Sequence, residues 1–179
     1  IDRAYKEKLE QVEQEKFAKL SEITKLKEKR IEEENEDQGV DGYISEDPNS
    51  EAEYDLFTGQ KLATEAYIEA TSRNTVGRCY NAVADAVERI TGPFLWGSSA
   101  YMAADQFASS TDFFEVYYKD LRYLQSGAIV IWEKGNSPHG HISVAIGDGR
   151  EASDHVATQM TYHHGGGKAR VFLPKRIVR

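Results

Sequence analysis

Two residues of this 179-residue chain have the types and positions that nucleophilic catalysis requires. Cys79 is the only cysteine, and it opens an amphipathic stretch that predicts a helix over residues 79–91. A thiol in the first turn of a helix lies beside unpaired backbone N–H groups and the positive end of the helix dipole, which favour the thiolate. The pattern predicts that Cys79 attacks an amide carbonyl and forms a thioester, with its own N–H contributing to an oxyanion hole.

His141 is the predicted partner of this thiol. It lies 62 positions after Cys79 and begins the apolar run 142–146, which is typical of a buried strand. The end of a strand holds an imidazole rigidly against a facing helix, so His141 is suited to pair with the thiolate and then protonate the leaving amine. His139, two residues earlier in a glycine-bounded loop, is a candidate for the rim of the site or a substrate contact.

A third group would orient the His141 ring, and two hairpin registers nominate different residues. A two-residue turn at Asp148-Gly149 places Asp154 on the same face as His141, because side chains alternate along a strand. Asp154 would then accept a hydrogen bond from the imidazole, as the carboxylate of a triad does. A three-residue turn with a bulge instead places His155 directly opposite His141. We predict the first register, and with it a site formed by Cys79, His141 and Asp154.

No cofactor or metal is predicted. A zinc site built from His155, His163 and His164 is conceivable, but the spacing of these residues matches no known ligand set. The acidic stretch 37–45 resembles the front half of an EF-hand loop, with Asp37 and Asp41 in ligand positions. Pro48, however, stands where that loop requires a bidentate glutamate, so a flexible acidic segment is the simpler interpretation.

Three segments in this order resemble the CHAP and NlpC-type families of bacterial and phage peptidoglycan hydrolases. They are Gly-Arg-Cys-Tyr-Asn-Ala-Val at 77–83, Leu-Gln-Ser-Gly-Ala-Ile-Val-Ile-Trp at 124–132 and Gly-His-Ile-Ser-Val-Ala-Ile-Gly-Asp-Gly at 140–149. The resemblance covers about residues 73–174. It implies a papain-like core, cleavage of an amide bond in the peptide stem or cross-bridge of peptidoglycan, and Cys79 and His141 as the catalytic pair. It also leaves His155 open as a third residue, since NlpC-type relatives use a histidine there.

The order of predicted elements indicates an α+β fold. Helices are expected at 60–71, 79–91 and 100–108, and strands follow at 113–118, 128–132, 142–147, 150–156 and 169–173. Helices followed by an antiparallel sheet match a papain-like core, in which the nucleophile helix packs on the sheet that carries the histidine.

Three parts are expected along the chain. Residues 1–36 are rich in Glu, Lys, Leu and Gln without Gly or Pro, and predict a long helix suited to a coiled coil, self-association or a partner helix. Residues 37–59 are an acidic linker, and residues 60–179 form the hydrolase domain, which we expect to fold and keep turnover when the chain begins near Gln60. Residues 1–60 carry a net charge of −9 and residues 61–179 a net charge of +1.

Composition excludes two classes of partner. No basic stripe suggests nucleic acid, and no apolar run approaches the roughly 20 residues of a membrane span. The expected location is secreted, attached to the cell wall, or in a virion or phage tail. Two other functions remain open: a non-catalytic structural or interaction module of a secreted or phage-tail protein, and an intracellular cysteine protease or transferase on the same core.

Overall fold

A computed structural model describes residues 44–45, 53–163 and 165–176. These residues belong to one compact unit, Tyr43–Arg179. The predicted helix 1–36 lies outside the described residues, and so do Asp37 and Asp41 of the stretch that resembles an EF-hand loop. Within the described part, no helix has the length and apolar composition that crossing a membrane requires.

In the described residues, three α-helices precede most of the sheet: α1 (Leu56–Arg73), α2 (Cys79–Thr91) and α3 (Ala103–Ser109). A 3₁₀ turn at Ala100–Met102 leads into α3. α1 begins four residues earlier than predicted, because Asp55 caps it: the carboxylate accepts a hydrogen bond from Thr58 N at 3.1 Å.

The sheet contains seven strands in the spatial order β1-β2-β7-β3-β4-β5-β6, and every neighbouring pair is antiparallel. The last strand in the chain therefore lies between β2 and β3, near the centre of the sheet. The predicted α+β class, with the Cys79 helix packed on an antiparallel sheet, is confirmed. The strands are β1 (Ile44–Ser45), β2 (Phe113–Tyr117), β3 (Ile129–Trp132), β4 (His141–Ala145), β5 (Arg150–Ala152), β6 (Val156–Thr158) and β7 (Ala169–Pro174).

Both faces of the central strands are covered. On one face, Val83 and Val87 of α2 share a buried cluster with Ile142 of β4. On the other, Val130 of β3 and Leu173 of β7 lie in a second cluster. This explains why β3 and β4 are apolar without a clear alternation: a strand buried on two sides has no polar face.

The start of α1 docks closely on the segment that enters β3. Tyr54 Oη donates a hydrogen bond to Ser126 O at 2.7 Å. Gly127 has a φ of +78°, and a Cβ on it would lie 2.5 Å from the Cα of Gly59, so a larger residue at this position would displace the helix. The chain immediately before Gln60 is thus part of the packed structure.

The β4–β5 hairpin has the alternative register, and the predicted two-residue register is wrong. Ala145 pairs with Glu151, and Ile146 N donates to Arg150 O at 2.9 Å across a three-residue turn. Gly149, the last residue of this turn, has a φ of +82°, as a turn with a bulge requires. The shift by one position exchanges the two faces of β5 relative to β4.

The predicted strand 150–156 is interrupted. β5 ends at Ala152, the chain turns with Ser153 N donating to His155 O at 3.0 Å, and β6 then pairs back on β5. Neither Asp154 nor His155 therefore comes to lie opposite His141.

Candidate active site

Cys79 begins α2, as the sequence predicts, and its thiol is free and partly buried. The preceding Arg78 supplies no side-chain cap to the helix, but its carbonyl accepts the hydrogen bond of Ala82 N at 3.1 Å. The first N–H groups of a helix have no intrahelical acceptor. The thiol therefore lies at the positive end of a 13-residue helix, where a negative charge is stabilised.

His141 is the first residue of β4, and the side chain of Cys79 lies close enough to its imidazole to raise the pKa of the ring. The two residues that the sequence nominated are thus brought together by the packing of α2 on the sheet. Pairing of His141 with Trp132 on β3 fixes the backbone from which the ring projects.

The residue that orients the imidazole is Glu151, which the sequence analysis did not nominate. His141 Nε2 donates to Glu151 Oε1 at 3.3 Å, which leaves Nδ1 as the ring nitrogen available to the thiol. Glu151 is only 3% exposed, on the face of β5 that the observed register turns toward His141.

Three donors hold the second oxygen of this carboxylate. Ser143 Oγ, Gln159 Nε2 and the backbone N of Met160 approach Glu151 Oε2 at 3.0, 2.8 and 2.9 Å. Because a buried carboxylate is costly unless its lone pairs are satisfied, these bonds compensate for the burial of Glu151 beside His141. They also fix the carboxylate in the orientation that serves the ring.

The pKa of His141 reflects these neighbours. Burial acts to lower its pKa, but the hydrogen bonds and charges of Cys79 and Glu151 outweigh burial and raise the pKa of His141 to about 9. At neutral pH the ring is therefore an imidazolium between two potential anions. The imidazolium is the form of His141 that can pair with a thiolate and later protonate a leaving amine.

Asp154 does not contact His141. Its carboxylate, 1% exposed, accepts a hydrogen bond from Arg78 N at 2.5 Å through Oδ2, while its backbone carbonyl accepts from Thr75 N at 3.0 Å. Asp154 thus fastens both ends of the segment 75–78 that leads into Cys79. The cause of the incorrect expectation is the hairpin register, which turns Glu151 rather than Asp154 toward the imidazole.

The other described histidines have separate partners. His155 Nδ1 lies 3.0 Å from Asp154 Oδ1, and His139 Nδ1 lies 2.8 Å from Ser99 Oγ. His163 is buried with its ring stacked on Trp132 at 6.0 Å between centroids. His164 lies outside the described residues. Among the residues that are described, no group of three or more His, Cys, Asp or Glu side chains could hold a metal ion.

One signal in the sequence points to Glu151. The three-residue turn with a bulge, weighed as the alternative register, places residues 151, 153 and 155 on the His141 side. Glu151 is the carboxylate in that set, and it precedes the buried Ala152 in a short apolar strand. An acidic residue inside a buried strand needs hydrogen-bond partners. The alternative register therefore identifies Glu151 as the third residue of the site.

No family model matches the chain, and no curated protein matches its sequence. Among solved structures, it is similar to the type VI native effector–immunity complex Tae3–Tai3 from Ralstonia pickettii, at 21% identity and a TM-score of 0.48, over 64% of this chain and 96% of that chain. The selenomethionine form of the same complex gives 22% identity and a TM-score of 0.47, over 60% and 97%. A similarity at this level does not identify a function.

Proposed function

We propose that residues 53–176 form a cysteine-dependent amide hydrolase that acts on peptidoglycan. The observation that carries the proposal is the chain of contacts from Cys79 through His141 to the buried Glu151. A thiol at a helix start, an imidazole that retains its proton at neutral pH and a fixed carboxylate behind it are the groups that acyl transfer through a thioester needs.

The reaction begins with attack of the Cys79 thiolate on an amide carbonyl carbon. Negative charge develops on the carbonyl oxygen, where the Cys79 N–H and the start of α2 stabilise it. His141 then gives its proton to the leaving nitrogen as the C–N bond breaks, which leaves a thioester on Cys79 and a neutral imidazole. The neutral ring takes a proton from water, which attacks the thioester and releases the carboxylic acid.

The Arg78 N–H is excluded from the oxyanion hole. Its hydrogen bond to Asp154 Oδ2 occupies it, so the Cys79 N–H is the donor on that side of the nucleophile. Asp154 therefore acts on catalysis through the position of the segment 75–78.

The substrate class comes from the resemblance to CHAP and NlpC-type hydrolases. Its three segments correspond here to the start of α2, to β3 with the turn before it, and to β4 with the turn that follows. These are the elements that carry Cys79 and His141 and fix their spacing. An amide bond in the peptide stem or cross-bridge of peptidoglycan is therefore the proposed target, and the cell wall is the proposed place of action.

The test is digestion of purified cell walls followed by mass spectrometry of the released muropeptides. We expect hydrolysis by the wild-type chain, loss of it on alkylation of the thiol, and loss in Cys79→Ala, Cys79→Ser and His141→Ala. His155→Ala is the matched histidine control and should change turnover little. Hydrolysis that persists in pure Cys79→Ala would end the proposal, and the masses of the products identify the bond that is cut.

A further inference from the structure

A cavity of about 550 Å³ opens at the end of α2 remote from Cys79. Phe94 and Trp96 form its aromatic side, and Thr91, Thr111 and Asp112 are among the polar side chains that line the rest. None of the lining residues is a lysine or an arginine. The cavity therefore combines flat aromatic surface with hydroxyl and carboxylate groups, and the nearby guanidinium of Arg170 is paired with the carboxylate of Asp105 at 3.0 Å.

Trp96 is 66% exposed, yet its backbone is held in place from two sides. Its N–H donates to Gln106 Oε1 at 2.7 Å, and Gln106 Nε2 donates to the Trp96 carbonyl at the same distance. The Gln106 amide thus pairs with Trp96 as a neighbouring strand would. A second bond, from Gln106 Nε2 to Met102 O at 3.0 Å, anchors the amide to the start of α3. A large indole is in this way presented to solvent on a fixed backbone.

The aromatic side of the cavity is anchored in the core. Phe94 packs edge-on against Phe107 with ring centroids 5.2 Å apart, and Phe107 is fully buried in the cluster beneath α2. An exposed aromatic side chain beside a preformed cavity is a common feature of ligand sites, because the ring gives large contact area with little loss of conformational freedom.

We propose that this cavity binds a saccharide unit of the glycan strand, with the sugar ring stacked on Trp96. A pyranose presents C–H groups on its faces, which pack on an indole, and hydroxyl and acetamido groups at its edge, which hydrogen-bond Thr91, Thr111 and Asp112. That the sugar belongs to the glycan strand follows from the proposed function. That the ligand is a sugar is inferred from the residues that line the cavity.

The position of the cavity separates binding from chemistry. Thr91 and Cys79 are the two ends of α2, which at about 1.5 Å per residue lie roughly 18 Å apart. A sugar held there contacts a part of the substrate remote from the scissile bond. Binding at this cavity therefore raises the affinity of the protein for peptidoglycan that carries glycan, and it leaves the rate of bond cleavage unchanged.

Binding is tested with tetra-N-acetylchitotetraose and the full chain. The chain has two tryptophans, and Trp132 is only 5% exposed, so a saturable change in tryptophan fluorescence reports on Trp96. We expect such a change, and Gln106→Ala, which keeps the indole but releases its backbone, should weaken binding by roughly fivefold to tenfold. No change at millimolar sugar overturns the proposal, and so does a response only to a lysine-containing stem peptide without sugar.

Kinetics give an independent test. Trp96→Ala should raise KM on intact cell walls by roughly fivefold to tenfold with kcat unchanged, and should leave hydrolysis of a sugar-free stem peptide as it is. Tyr123→Ala, which removes another exposed aromatic side chain, is the matched control. Equal losses on both substrates overturn the saccharide site, while absence of all hydrolysis by the wild-type chain contradicts the proposed function and leaves the binding result standing.

Discussion

The side chains of Cys79 and Glu151 together raise the pKa of His141 above that of an ordinary histidine, and the contacts of Glu151 explain its share. One oxygen faces the ring, and three donors occupy the other. The carboxylate therefore cannot rotate away without breaking several bonds. In the proposed hydrolase site this is the role of the orienting acid of a triad, held by a residue on the neighbouring strand.

The variant Glu151→Gln should distinguish the electrostatic effect of Glu151 on His141 from the effect of its packing. The amide keeps the volume but removes the negative charge, so the pKa of His141 falls from about 9 toward its ordinary value. Because the protonated ring is needed, the basic limb of the pH profile of kcat/KM should move to lower pH, and kcat should fall by about tenfold or more. A profile that stays in place would show that Glu151 does not set the charge of His141.

Cys79 and His141 could be predicted from local patterns, whereas Glu151 could not be. The thiol and the imidazole each open a regular element, and the start of a helix or an apolar run can be read from neighbouring residues. The third residue depends on hydrogen bonding between two strands. A change of one position in a turn moved Asp154 away from the ring and Glu151 toward it.

At the scale of elements, the turn between β5 and β6 and the segment before α2 form one unit. Asp154 lies in the turn and binds Arg78 N and Thr75 N of the segment. Ser153 Oγ and His155 Nδ1 contact its other oxygen at 3.3 and 3.0 Å. The backbone in front of the nucleophile is thus attached to the same strand pair that supplies Glu151.

Asp154→Ala should lower stability and turnover together. It removes a fully buried acceptor, and leaving its donors unpaired costs about 1–3 kcal/mol. The basic limb of the pH profile should stay at its wild-type position, because Asp154 does not contact His141. Denaturant unfolding and kcat/KM against pH measure the two effects.

Asp154→Asn is the matched variant for this prediction. It keeps one carbonyl oxygen that can accept from Arg78 N, and should recover part of both losses. A shift of the pH profile in either variant would instead assign Asp154 a direct role in the charge of His141.

The helices between residues 56 and 109 were predicted within a few residues, and the strands at one edge of the sheet, β5 and β6, were not. α2 has the predicted bounds because Cys79 and Gly92 mark its ends in the sequence. The break between β5 and β6, by contrast, lies inside the stretch predicted as one strand, at Ser153 and Asp154, which are residue types that favour turns. The central position of β7 depends on contacts with β2 and β3, which are more than 35 residues away in sequence, and no local pattern encodes them.

At the scale of the molecule, contacts made by residues that precede Gln60 indicate that the folded domain begins before this residue. Asp55 caps α1, Tyr54 bonds Ser126, and Tyr54 also bridges to Lys175 beyond β7. A chain beginning at Gln60 loses all of these and the first turn of α1. We expect it to be less stable than a chain beginning at Tyr43 by about 2–4 kcal/mol.

Urea unfolding of the two chains measures this difference, and turnover on soluble muropeptides shows whether the site survives. Equal midpoints would mean that residues 43–59 are a linker, as the sequence suggests, and that their contacts contribute nothing.

The charge of His141 also couples stability to pH. Its pKa in the folded chain, about 9, lies above its ordinary value of 6.5. The stabilisation that the charged ring provides is therefore complete below about pH 6.5 and is lost as pH rises through about 9. Unfolding midpoints of the wild-type chain should fall more between pH 6.5 and 9.5 than those of His141→Gln, and parallel curves would contradict the assigned pKa.

The central place of β7 has a consequence for how the protein is made. During synthesis the ribosome releases Cys79, His141 and Glu151 well before residues 169–174, yet β2 and β3 have no bridge between them until β7 is made. A nascent chain stopped short of β7 leaves two open strand edges and no continuous sheet. Until residues 169–174 have been made, a chain that already contains Cys79, His141 and Glu151 therefore lacks the strand that joins β2 to β3, and its sheet is incomplete.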